Sequence, residues 1–183
     1  MYLPAPVIAA LPAVAARHEL DVYLLAAFVM QESGGETSAW NPEPKYRYLW
    51  DVRDWKPFRT LTADENASEI PPADFHKLGG QLDQEWWGQQ ASWGLMQVMG
   101  AVAREHGFRE IFFTKLCNMD VGLAYGARHL AGLFARGFDM QDAISAYNAG
   151  HPTHENYYKY TSPVLQWVDK LRKERAFSTG GTA

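Results

Sequence analysis

Residues 22–30, Val-Tyr-Leu-Leu-Ala-Ala-Phe-Val-Met, offer no polar face at any helical angle. A helix of that kind is stable only when other elements cover it on every side, so the chain must supply several partners for it. Asp21 stands where an N-cap belongs, and Gly34-Gly35 stop the helix after Ser33. An earlier helix opens at Pro6 with Val7, Ile8, Leu11, Val14 and Ala15 on its apolar face, and a kink or restart is expected at Pro12. Further helices are read from about Gly94 to Glu105, ended by Gly107, and from Asp120 to Arg136, ended by Gly137. Asp139 caps another, with Asp142 at N3, that reaches Gly150. Ser162-Pro163 reads as an N-cap and N1 pair opening a last helix, with Val164, Trp167, Val168 and Leu171 on one face. No segment alternates convincingly enough for a strand. The fold class is therefore all-α, with at most a minor β component.

Residues 36–91 break the pattern. Pro42, Pro44, Pro57, Pro71, Pro72, Gly79 and Gly80 interrupt any period, and Tyr46, Tyr48, Trp50, Trp55 and Phe58 supply rings. This is read as one long irregular insertion, with 64–74 its most mobile part, since so long a loop in a compact domain is usually functional or mobile. The 183 residues make one domain over 1–177, followed by a flexible tail at 178–183.

Composition removes several classes of function. A net charge of −4 argues against a nucleic-acid binder working by phosphate neutralisation. One cysteine, Cys117, excludes an intrachain disulfide framework and a cysteine-based zinc site, and is read as a buried inert thiol. His151 and His154 are three apart with no third ligand nearby, so they read as a surface loop and no metal is expected. Gly122, Gly126 and Gly132 lack phosphate-loop spacing and read as sites of close helix packing, so no cofactor is expected either. No apolar run approaches the ~20 residues that span a bilayer, and Lys170, Arg172, Lys173 and Arg175 read as a solvated face. The Met1–Pro6 segment has no basic n-region, so synthesis in a cytoplasm without a signal peptide is expected. Seven tryptophans are the one leaning toward function: in loops, such rings can stack on a sugar or a base.

Three short segments carry candidate chemistry. Glu32 ends the all-apolar helix, where an apolar surround and the negative helix terminus both disfavour a carboxylate. A carboxyl kept neutral near about pH 6–7 can protonate a poor leaving group such as a glycosidic oxygen. On spacing alone, a helix-ending glutamate pointing into water fits the same residues. Ser92-Trp93-Gly94-Leu95-Met96-Gln97 places a glycine, which permits close approach by a ligand, beside a side-chain amide with a donor and an acceptor. Tyr147-Asn148-Ala149-Gly150 ends a helix with two hydrogen-bonding side chains.

Together, Gln31-Glu32-Ser33, Gly94-Leu95-Met96-Gln97, Ala146-Tyr147-Asn148-Ala149-Gly150 and Tyr160 with Val164-Leu165 resemble, in order and helical context, the soluble lytic transglycosylase family. The resemblance covers about 5–36 and 90–172. Ser92–Gly100 and Asn41-Pro42-Glu43-Pro44 are most similar to versions carried by phages and prophages, which implies an endolysin-type enzyme. It implies a bilobal lysozyme-like fold and cleavage of the β-1,4 bond between N-acetylmuramic acid and N-acetylglucosamine in peptidoglycan, with formation of a 1,6-anhydro ring. Glu32 occupies the place of the family's acid–base glutamate. Ser33, Ser92, Gln97, Tyr147, Asn148 and Tyr160 would hold Glu32 and the sugar, and Met96 would line the floor. The partner expected is the glycan strand, taken by a monomer acting on the wall or periplasm after release at lysis or from a virion.

One departure keeps other readings open. Sixty-one residues separate Glu32 from Gly94, more than compact members of the family need, and they include Glu43 and Glu85. Either could be a second carboxylate that activates water, which would make the enzyme a hydrolytic muramidase. A non-catalytic glycan-binding or virion structural module is the rival from another class.

Overall fold

The computed structural model describes residues 3–177. The tail read at 178–183 therefore lies outside the described residues. In chain order the elements are α1 (Ala5–Arg17), α2 (Val22–Glu32), β1 (Trp40–Pro42), β2 (Trp50–Asp51), β3 (Lys56–Pro57), α3 (Ala63–Ala67) and α4 (Leu82–Gln89). They continue with β4 (Ala91–Trp93), β5 (Val98–Met99), α5 (Gly100–Glu105), a 3-10 turn (Phe113–Cys117), α6 (Met119–Ala135) and α7 (Met140–Ala149). Last come α8 (His154–Asn156), a π-helical turn (Tyr157–Thr161) and α9 (Ser162–Lys173). The fold is mostly helical, as expected for a lysozyme-like chain. It divides into two compact units, one made of the residues up to Glu36 and from Gly126 onward, the other of Thr37–Tyr125.

The first unit is built around α2. Leu24 through Val29 are all buried, as an all-apolar helix requires, and α1 and α9 pack against it. Asp21 caps α2 by accepting from the Leu24 amide at 2.9 Å and also accepts from Arg172 of α9 at 2.8 Å. Beyond the helix, Gly35 has φ +91, and a Cβ there would lie 2.5 Å from the Pro4 ring. Helix α1 runs unbroken through Pro12, so the expected restart does not occur; only one backbone donor is lost, on an exposed face. Asp139 caps α7 as read, accepting from the Asp142 amide at 2.9 Å. Ser162 is no N-cap: Thr161 and Ser162 are both helical, and α9 continues directly from the π turn. A widened turn before Pro163 accommodates a ring that would clash with the carbonyl of a regular preceding turn.

The second unit corrects two expectations. The helix read from Gly94 starts only at Gly100, and residues 91–99 form the β4–β5 hairpin of a three-stranded antiparallel sheet ordered β1-β4-β5. Leu-Met-Gln-Val-Met suits a helix by propensity, but Gly94 (φ +69) and Gln97 (φ +45) take left-handed conformations that end one. A Cβ on Gly94 would sit 2.2 Å from the Leu116 carbonyl, so the glycine admits this chain's own backbone rather than a ligand. Gly122 is similarly tight, at 2.5 Å from the same oxygen.

The insertion is not wholly irregular either. Leu49, Leu61, Phe75 and Trp86 form a small core, flanked by Phe58 and Leu82. Buried Gln89 acts as a strand partner for Trp50: its oxygen accepts from the Trp50 amide at 2.7 Å, and its nitrogen donates to the Trp50 carbonyl at 3.0 Å. Within 64–74, α3 carries a Thr62–Glu65 capping box, and Arg59 grips Glu65 (2.7 and 2.8 Å) and Asp74 (2.6 and 2.7 Å).

Arg59 first, then the Thr62 amide, hold the Glu65 carboxyl down at about 2, below its ordinary 4.5. A depressed carboxyl stabilises the fold above its unfolded pKa, and that contribution fades as pH falls through the folded value. Glu65→Gln should therefore lower the urea midpoint at pH 6, and the gap from wild type should close between about pH 4.5 and 2.

Candidate active site

Glu32 is the last residue of α2, half-buried, and its Oε1 accepts a hydrogen bond from the Tyr160 hydroxyl. Tyr160 comes from the π turn and is itself buried. One helical turn before Glu32, the Phe28 ring packs on Tyr147 (centroids 4.6 Å apart) and on Tyr160 (6.3 Å). His129 meets the other partner of that group, Tyr147, at 5.0 Å. Burial, then the Glu32 charge and its hydrogen bond, push the Tyr160 phenol well above the ordinary tyrosine range. Burial and the Glu32 charge do the same to Tyr147. Both phenols therefore keep their protons near neutral pH, which fixes Tyr160 as the donor and Glu32 as the acceptor.

Other residues predicted for this unit take different places. Ser33 donates to the Val29 carbonyl at 3.3 Å and accepts from the Gly35 amide at 3.1 Å, closing the end of α2. Asn148 is exposed in the last turn of α7, before Gly150 at φ 78. Phe28 is the residue that sequence reasoning passed over. Its signal was its position, four before Glu32 and so on the same helical face.

In the second unit, the motif residues are structural. Gln97 Oε1 accepts from Ser92 at 2.9 Å, while its Nε2 donates to the carbonyls of Ala39 (3.1 Å) and Gly94 (2.9 Å). Both amide protons are thus engaged by backbone carbonyls of this unit, where the sequence suggested a donor offered to sugar. Ser92 is buried, and Met96 is wholly so.

Glu85 is overturned as a second carboxylate. Its side chain and that of Arg104 are 1% and 0% exposed, joined by two hydrogen bonds of 2.8 Å. Gln89 donates to the same carboxylate at 2.9 Å, and Arg104 also reaches the Phe108 (2.7 Å) and Glu110 (2.8 Å) carbonyls. A carboxylate so engaged holds the fold together and has no access to water. Glu43 is exposed after β1, accepting from Asn41 at 3.4 Å. Cys117 is half-buried, and burial raises its thiol. His151 and His154 are exposed.

A family model described as Transglycosylase SLT domain matches residues 11–169, a span that runs from α1 to α9 and includes Glu32, the hairpin motif, Tyr147 and Tyr160. The chain belongs to this family. As a transglycosylase SLT domain it is an enzyme, a lytic transglycosylase that degrades peptidoglycan. Comparison with curated proteins and with solved structures gave no match. Among the described residues, no helix of this transglycosylase is long and apolar enough to cross a membrane.

Breaking a buried ion pair from one side leaves an uncompensated charge. Glu85→Gln should lower the stability of this transglycosylase by about 3–5 kcal/mol in urea unfolding. If Glu85 instead served the chemistry, the variant would keep its stability and lose activity.

Proposed function

We propose that Glu32 is the acid–base group and that the enzyme cleaves the β-1,4 bond from N-acetylmuramic acid to N-acetylglucosamine, closing a 1,6-anhydro ring. The Glu32 carboxyl gives its proton to the glycosidic oxygen as the bond from C1 breaks. The muramic N-acetyl group steadies the oxocarbenium-like centre. Glu32, now a carboxylate, takes the proton of the C6 hydroxyl, and that oxygen bonds to C1. The residue ends as it began, protonated, and no water is consumed.

The observation that carries this is the Tyr160 hydroxyl on Glu32 Oε1. A hydrogen bond to a carboxylate is stronger than one to the neutral acid. Tyr160 therefore favours Glu32 most in the middle of the reaction, when it has lost its proton, and fixes which oxygen faces the sugar. Tyr147, packed on Phe28, lies near enough to Glu32 for its phenol to be raised by that charge. The hydrolytic alternative requires a group to activate water; Glu85 is engaged elsewhere, which leaves Glu43 for that role. A part in phage-mediated lysis, or in wall opening from a virion, is supported by the likeness of Ser92–Gly100 and Asn41–Pro44 to phage versions of the domain.

Mass spectrometry of muropeptides released from purified peptidoglycan tests the chemistry. Products ending in 1,6-anhydro-muramic acid are expected, one water lighter than hydrolysed ends, and reducing muramic acid would turn attention to Glu43. Glu32→Gln should release nothing measurable. Tyr160→Phe should lower kcat by roughly 10- to 100-fold with little change in KM, because the bond it removes gains strength only as Glu32 ionises.

A further inference from the structure

Within the second unit, a groove of about 220 Å³ is walled almost entirely by rings. The antiparallel register of β1 and β4 sets Trp40 opposite Trp93, their ring centroids 6.0 Å apart. Trp93 is held in orientation by its indole N–H, which donates to the Gly88 carbonyl at 3.0 Å, and is stacked on Phe113 at an interplanar angle of 18°. Gly88 makes the recess possible: a Cβ there would fall 2.2 Å from the Phe113 ring. Trp87 of α4 and Phe112 complete the walls. Trp40, Trp87 and Phe112 are 56%, 37% and 57% exposed, an unusual outlay of aromatic surface to water.

We infer that this groove is an auxiliary subsite that takes one neutral N-acetylglucosamine residue of the glycan, built from residues other than those proposed for the chemistry. The proposal rests on the peptidoglycan-cleaving function above and adds to it where part of the affinity comes from. Charge selects the occupant. No ionisable side chain lines the groove, so it offers nothing to the lactyl carboxyl or peptide stem of muramic acid, or to an anionic lipid headgroup. N-acetylglucosamine carries no charge. Its equatorial hydroxyls leave two apolar C–H faces that lie flat on indole, and its acetyl methyl suits a ring-lined recess. At the rim, Thr114 and Gln84 bring polar groups toward the equatorial hydroxyls; Gln84 is fixed there by donating to the Ile111 carbonyl at 2.9 Å.

The test is binding of chitotetraose, a β-1,4 oligomer of N-acetylglucosamine alone, to the full chain carrying Glu32→Gln, followed by calorimetry and tryptophan fluorescence. Saturable binding with a change in indole emission is expected. Trp40→Ala and Trp87→Ala, added singly, should each weaken it roughly tenfold while circular dichroism melts stay unchanged. Affinity unaltered in both variants overturns the subsite. So does an indole blue shift with phosphatidylcholine vesicles and none with chitotetraose, which would make the groove a membrane contact. Neither result touches the assignment of Glu32, which stands or falls on the muropeptides released by wild type and by Glu32→Gln.

Discussion

The enclosure of α2 governs the geometry of the first unit. Six consecutive residues, Leu24 to Val29, are buried, so the helix has no rotational freedom: turning it about its axis would only exchange one buried face for another already packed. Glu32, one turn beyond Phe28, inherits that rigidity. In the acid–base role proposed for it, a carboxyl that gives and then recovers a proton at one atom needs this kind of support, because small misplacements are costly to catalysis. The polar cap at Asp21, tied to Arg172 of α9, fixes the other end of the same rod.

The second unit is held differently. Its short strands have few ladder hydrogen bonds, and buried side-chain amides and charges take their place. Gln89 stands in for a missing strand, Gln97 fastens the hairpin to Ala39, and the Glu85–Arg104 pair joins α4 to α5. Arg104 also lies under the Phe113 ring, 4.3 Å from its centroid. The ring that backs Trp93 is thus itself backed by a buried cation, and the groove rests on an ion pair.

What was legible in the sequence follows from what each signal depended on. The α2 core, the Asp139 cap and the place of Glu32 at the end of α2 rest on local pattern, and these were readable. Glu85 was not, because its fate depends on Arg104, nineteen residues on in a different helix, and a lone glutamate looks alike whether it faces water or a guanidinium. The hairpin at 91–99 was hidden for a related reason. Its residues favour helix, and only the Leu116 carbonyl pressed against Gly94, with Ala39 accepting from Gln97, forces the left-handed turns. The Ser162 start was missed because Ser-Pro looks the same at the head of a helix and after a wide turn within one.

That wide turn has a consequence for length variation along the chain. A π turn holds one residue more than an α turn, so the helix before it and the helix after it are out of phase by about 100°. Tyr160 lies in the offset segment, while Val164, Val168 and Leu171 of α9 follow ordinary spacing into the core. Removing Thr161, which lies between Tyr160 and α9, would let the segment relax to regular helix without disturbing that apolar stripe. The hydroxyl on Glu32 would then swing to another side of the helix. A one-residue gap at this place in a related chain is therefore a mark of lost phenol–carboxyl contact, even where a tyrosine is still present.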